Sequence, residues 1–187
     1  INAPIDFNSD SDDTSRLTAS GGTLVINGSI LDMGDLQANS GTLEINTNYS
    51  LSTGESGIDL NNGTLAGTGL ITIDTNNVSG DGLVTSRLTN NGAILGQGGT
   101  MLIDSPSTNL DGTGAEDGLV RALGGNVELR DWSDLESFNG RLNATNGQIF
   151  TNGEDINFGS DSTFDLLNNG SFRTNVTTNH RGDLTSS

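Results

Sequence analysis

Gly22-Thr23-Leu24-Val25-Ile26-Asn27 returns as Gly41-Thr42-Leu43-Glu44-Ile45-Asn46, and again, lengthened, as Gly63-Thr64-Leu65-Ala66-Gly67-Thr68-Gly69-Leu70-Ile71-Thr72-Ile73-Asp74. Each stretch is a glycine turn, a short alternating strand and a second polar turn. The order recurs in Asn91-Gly92-Ala93-Ile94-Leu95-Gly96-Gln97-Gly98-Gly99-Thr100-Met101-Leu102-Ile103-Asp104, and more loosely in Gly125-Asn126-Val127-Glu128-Leu129 and Asn139-Gly140-Arg141-Leu142. A unit this small cannot bury its own apolar face, so it must stack on its neighbours. The turns at Gly22, Gly41, Gly63 and Gly92 lie 19, 22 and 29 residues apart. Those lengths bracket one coil of a right-handed parallel β-helix, the longest leaving room for a protruding loop. The predicted fold is therefore all-β, a β-solenoid.

Composition supports this reading once disorder is excluded. Gly, Asn, Thr, Ser and Asp together make up more than half of the 187 residues, and only 31% are hydrophobic, which is low for a globular domain. The apolar residues are nevertheless grouped in short β-prone runs bounded by turn residues, at Leu24/Ile26, Leu43/Ile45, Ile71/Ile73 and Leu102. Disordered polar chains need no such spacing. Stacked coils need only two or three inward side chains each, and ladders of Asn and Thr can satisfy their turns. Gly and Asn interrupt every ten-residue stretch, so no helix is predicted; Asp131–Phe138 reads as a loop or short turn closing over the solenoid.

Residues 1–16 carry no repeat and read as an acidic leader or cap, and the solenoid is expected over 17–174. A turn-rich segment near 105–118 is either a lateral loop between two halves of one solenoid or a soft boundary. Residues 175–187 lose the pattern and are expected to fray or to continue into further sequence. Phe138, Phe150, Phe158, Phe164 and Phe172 enrich the second half and predict an aromatic stack in the core.

The net charge is −17, and all seven basic residues are arginines. Such a surface repels phosphate backbones and anionic membranes, which argues against nucleic acid as a partner. No apolar stretch is long enough to span a bilayer, so membrane insertion is not expected. With no cysteine there are no disulfides or thiolate sites, a composition compatible with an extracellular protein stabilised by repetition. With no lysine there is neither a Schiff base nor a Lys–Asn cross-link. The chain starts at Ile1 and reads as a processed mature chain or an excised fragment.

Asn61-Asn62-Gly63-Thr64-Leu65-Ala66-Gly67-Thr68-Gly69 and Leu88-Thr89-Asn90-Asn91-Gly92-Ala93-Ile94-Leu95-Gly96 resemble the repeats of autotransporter passengers and filamentous-haemagglutinin-like adhesins. The resemblance spans about residues 17–175 and implies a secreted or cell-surface β-solenoid serving adhesion or acting as a stalk. It carries over no catalytic residue.

Calcium is the candidate cofactor. Asp6, Asn8, Asp10 and Asp12, with Asp13 beside them, place oxygen ligands at alternate positions as in an EF-hand loop, but Ser11 stands where the loop needs Gly and Leu17 where it needs Glu. The competing reading is a solvated acidic terminus. A second candidate is the loop Asp74 to Gly82, with Asp74, Asn76 and Asp81 as ligands; a third, weaker one is Asp111, Glu116 and Asp117. Trp132 either stacks on a sugar or caps the core. Arg181-Gly182-Asp183 is the tripeptide integrins recognise in extracellular ligands, and the sequons beginning at Asn27, Asn48, Asn62, Asn77, Asn143, Asn169 and Asn175 would matter in a eukaryotic secretory pathway; against both stands chance occurrence in a chain of this composition. Parallel β-helices also serve glycoside hydrolases and lyases, yet no carboxylate pair can be selected from 24 acids, and His180 is the single histidine.

These readings converge on a non-enzymatic extracellular rod, either a segment of a surface adhesin or a subunit associating head to tail, with glycans or a cell surface as partners. The alternative is a calcium-dependent carbohydrate-binding or carbohydrate-processing module using Trp132 beside Asp131 and Asp134.

Overall fold

A computed structural model describes residues 16–30, 34–52, 57–105, 109–111, 118–130, 138–152, 156–175, 178–180 and 183–186. Alternating apolar residues make strands throughout, with glycines at many of the turns and corners between them, and no helix occurs among the described residues. The chain winds as a parallel β-solenoid. The first coil contains β1 (Arg16–Ser20) and β2 (Thr23–Ile26), and the second β3 (Asp35–Asn39), β4 (Thr42–Ile45) and β5 (Tyr49–Leu51). Next come β6 (Ile58–Ala66) with β7 (Leu70–Ile73), then β8 (Asn77–Val84) with β9 (Arg87–Asn90), then the long β10 (Ala93–Asp104). Later coils hold β11 (Leu119–Leu123) and β12 (Asn126–Arg130), then β13 (Arg141–Thr145), β14 (Gln148–Asn152) and β15 (Ile156–Phe158). The last described strands are β16 (Thr163–Leu167), β17 (Ser171–Thr174), β18 (Thr178–His180) and β19 (Asp183–Ser186).

Three faces result. The first stacks β1-β3-β6-β8-β10-β11-β13-β16-β19, using the N-terminal parts of β6, β8 and β10. The second stacks β2 and β4 on the C-terminal parts of those same three strands, and continues through β12, β14 and β17. The third holds β5-β7-β9 and, further along, β15-β18. All of these strand pairs are parallel, so each coil satisfies its backbone groups on the coils above and below.

Register turns the alternation into vertical columns. On the first face Leu17, Leu36, Ile58, Val78, Ile94, Val120, Leu142 and Phe164 lie one above the next. All but Leu17 are buried. A second inward column, nearer the corner, starts with the small Ala19 and Ala38, passes through Leu60, narrows to Gly80 and Gly96, and resumes with Ala122 and Ala144. Each removed side chain contributes about 25 cal/mol per Å² of apolar surface, and repetition makes this modest apolar content sufficient.

The expected polar ladders form at the turns. Asn46 Nδ2 donates to Asn27 Oδ1 at 2.9 Å, Asn61 to Asn39 at 3.2 Å and Asn175 to Asn152 at 2.7 Å. The aromatic stack forms too, through edge-to-face contacts from Phe158 to Phe138, Phe164 and Phe172 at 5.9, 4.7 and 6.0 Å between ring centres. Phe150 departs from that expectation. It alternates with the buried Ile149 and Thr151 and is only half-buried, on the outward side. Leu102 likewise points outward between buried Met101 and Ile103.

Two further expectations change. The phrase at Gly92 does not continue the series Gly22, Gly41, Gly63, because Ile94 stacks on Val78 and Ile58 of the first face. The true successor of Gly63 is Gly82, 19 residues on. Within 175–187, expected to lose the pattern, β18 pairs with β15 and β19 with β16. Within 105–118, Asn109 forms a bridge to Thr89, and the strand ladder passes directly from β10 to β11 and β12.

Candidate functional site

The corner between the first and second faces changes length at two successive steps along the solenoid, from β6 to β8 and from β8 to β10. Between the columns that contain Ala38, Leu60, Gly80, Gly96 and Ala122 on one side and Gly63, Gly82, Met101 and Val127 on the other, β6 spends two residues, Asn61 and Asn62. β8 spends one, Asp81, and β10 spends four, Gln97 to Thr100. The ladder register breaks at both steps. The tightest corner therefore lies recessed between a normal one and a wide one. Glycine permits it: Gly80 and Gly82 adopt φ of 105° and 142°, values an L side chain rarely takes.

This recess continues into an open groove of about 550 Å³. Its floor is an outward column in which Thr64, Leu83, Leu102 and Glu128 follow one another across four coils. Leu83 and Leu102 are half-buried, with a face left to solvent. Asp81 stands at the rim, and among the described residues its carboxylate has one protein donor, the Asn62 N–H at 3.4 Å. Glu128 at the far end is held by Arg130 at 3.0 Å, which also lies 3.7 Å from Asp104. Gly99 hangs over Asp81, where a Cβ would stand 2.6 Å from Oδ2. The groove thus combines an aliphatic floor with a carboxylate that little else engages.

The three residues of the Asp74 to Gly82 candidate part company. Asp74 follows β7 on the third face and clasps coils together: its carboxylate accepts from the Ser50 hydroxyl on one side and from Asn91 Nδ2 at 3.2 Å on the other. Asn76 donates through Nδ2 to the Ser52 carbonyl at 2.7 Å. Asp81 lies at the other end of the first face, in the groove. Asp111 caps a turn, accepting from the Asn139 N–H at 2.9 Å. Among the described residues no group of three His, Cys, Asp or Glu side chains converges as a metal site would require. Asp6, Asn8, Asp10, Asp12, Glu116, Asp117, Asp131, Trp132 and Asp134 lie outside the described residues.

Sequence reasoning assigned Asp81 to a loop and missed the groove, because the groove arises from a mismatch between successive coils. The available signal was the contrast of Ser79-Gly80-Asp81-Gly82 with Gly96-Gln97-Gly98-Gly99-Thr100. No helix among the described residues is long and apolar enough to cross a membrane. No family model matches the chain, and neither the curated proteins nor the solved structures include a match, so the fold and this groove carry the functional reading.

Proposed function

We propose that the chain is a rod segment of an extracellular surface adhesin, rigid by construction and adhesive through its outer faces. The observation behind this reading is the nine-strand parallel ladder of the first face, which runs from Arg16 to Ser186 across every coil. At about 4.8 Å per paired strand, that ladder is roughly 40 Å long. A stack in which each coil is hydrogen-bonded along its length resists bending, which is what a spacer needs. The high acidity, the arginine-only basic set and the absence of cysteine suit an exposed surface outside the cell.

Two measurements test the two halves. Negative-stain electron microscopy, with calcium and then with a chelator, should show short rods or filaments of uniform width; compact globular particles would sink the rod. Antibody labelling of intact source cells should reach the protein without permeabilisation, and labelling confined to permeabilised cells would remove the surface assignment.

A further inference from the structure

We infer that the groove over Leu83 and Leu102 receives a lysine side chain from an extended basic segment of a partner protein. This deepens the adhesive half of the reading above and rests on it, while leaving the rod unaffected. The groove's chemistry matches that guest in two places. A lysine stem is four methylenes long, and it covers aliphatic surface while its ammonium stays at the polar edge. Leu83 and Leu102 offer such a surface in adjacent coils, and Asp81 stands at its rim with a single donor at 3.4 Å among the described residues. Glu128, by contrast, already has Arg130.

Charge complementarity supports the same partner at long range. The chain's net charge of −17 draws basic segments toward it, and the groove then selects by shape. Among the described residues no aromatic ring lines the groove, and Phe150 lies beyond Glu128 in the same outward column, so the floor at Leu83 and Leu102 offers no flat platform on which a sugar ring would stack. Gly99 leaves room for the carboxylate in its present position, since a Cβ there would stand 2.6 Å from Asp81 Oδ2 and push it aside.

The test is titration with a labelled hexalysine peptide at about 0.15 M salt, where exposed charges further apart than about 8 Å are screened, read by methyl NMR of the two leucines. The methyls of Leu83 and Leu102 should shift. Asp81→Asn and Gly99→Ala should each weaken binding about fivefold, as expected for loss of one exposed charge contact. Asp161→Asn, at an exposed site outside the groove lining, should leave binding within about twofold. Gly99→Ala is the decisive variant because it keeps the net charge. Unchanged binding in Gly99→Ala, or equal weakening by Asp161→Asn, would show a diffuse ionic atmosphere and overturn the proposal. Maltohexaose shifting the same methyls where hexalysine does not would overturn it in favour of a sugar groove. Either failure leaves rods in electron micrographs intact, so the two readings fail separately.

Discussion

Coils on either side of Gly82 turn the same corner in different ways. Before it, β3 and β6 each turn in two residues, Asn39-Ser40 and Asn61-Asn62, and a glycine then takes the inward place where the second face begins. After it, β10 and the coils of β11–β12 and β13–β14 use four residues, and the inward place beside the corner goes to Met101, Val127 and Ile149. Both halves use the same pair, a residue with positive φ followed by glycine: Ser40-Gly41 and Asn62-Gly63 early, Gly98-Gly99, Gly124-Gly125 and Asn146-Gly147 late. The difference is where the pair sits relative to the ladder. A shift of two residues converts a glycine rung into a rung of large side chains. The later coils gain apolar volume at this corner, and the phenylalanine cluster forms among them. The groove marks the junction.

Substitutions at this junction and on either side of it can break the comparison. The largest effect is expected from Gly82→Val, which adds a side chain at φ 142° with the Gly63 carbonyl oxygen in its way. It should cost about 3–5 kcal/mol in urea unfolding. Hydrogen exchange should rise first in β6 and β8, and unchanged exchange there would refute a tight early corner. Gly124 has a smaller positive φ of 68°, in the left-handed helical region, and open space around it, so Gly124→Ala should cost only about 1–2 kcal/mol.

Phe164→Ala probes the late coils. Phe164 is 2% exposed and packs edge-to-face on Phe158 and Phe172. A loss of about 3–5 kcal/mol is expected, with faster exchange in β13 and β16 and little change in β1–β4, since stacked repeats couple mainly to their neighbours. A loss spread evenly over all coils would show that the two halves act as one unit.

Thr151→Val sharpens the late half from the other direction. Thr151 occupies an inward rung, is 1% exposed, and its buried Oγ1 has no hydrogen-bond partner among the described residues. Replacing the hydroxyl with a methyl group should stabilise by about 1 kcal/mol, visible as a higher urea midpoint with an unchanged slope. Asn46→Ala should cost about 1 kcal/mol, because Asn46 joins Asn27 below to the Thr68 N–H above. Arg16→Ala, removing an exposed pair with Asp35 at 2.9 Å, should change stability by less than about 0.5 kcal/mol.

Much of this architecture could be read from residue order. The alternation in Leu43-Glu44-Ile45 and Ile71-Thr72-Ile73 specifies one buried and one open side, and the glycine turns between them specify stacking. The asparagine ladders followed from the same repetition. Gly92 misled because a glycine precedes the first face of that coil as well as the second, so the local phrase cannot say which face it opens. Phe150 misled for a related reason: hydrophobicity suggests an inward side chain, but period-two alternation next to Ile149 leaves it outside, as alternation next to Met101 leaves Leu102. The strands at 178–180 and 183–186 are polar by composition and become strands through the coil beneath them.

The sequence by itself determined that this protein is a stack of parallel β coils, because turn chemistry and alternation are local properties written in neighbouring residues. The tertiary structure alone decided which coils sit in register, and with that the widened late core, the separation of Asp74 from Asp81 and the groove over Leu83 and Leu102. Register is a relation between residues about twenty positions apart, fixed by the summed fit of every rung, and one short corner at Asp81 is enough to move it.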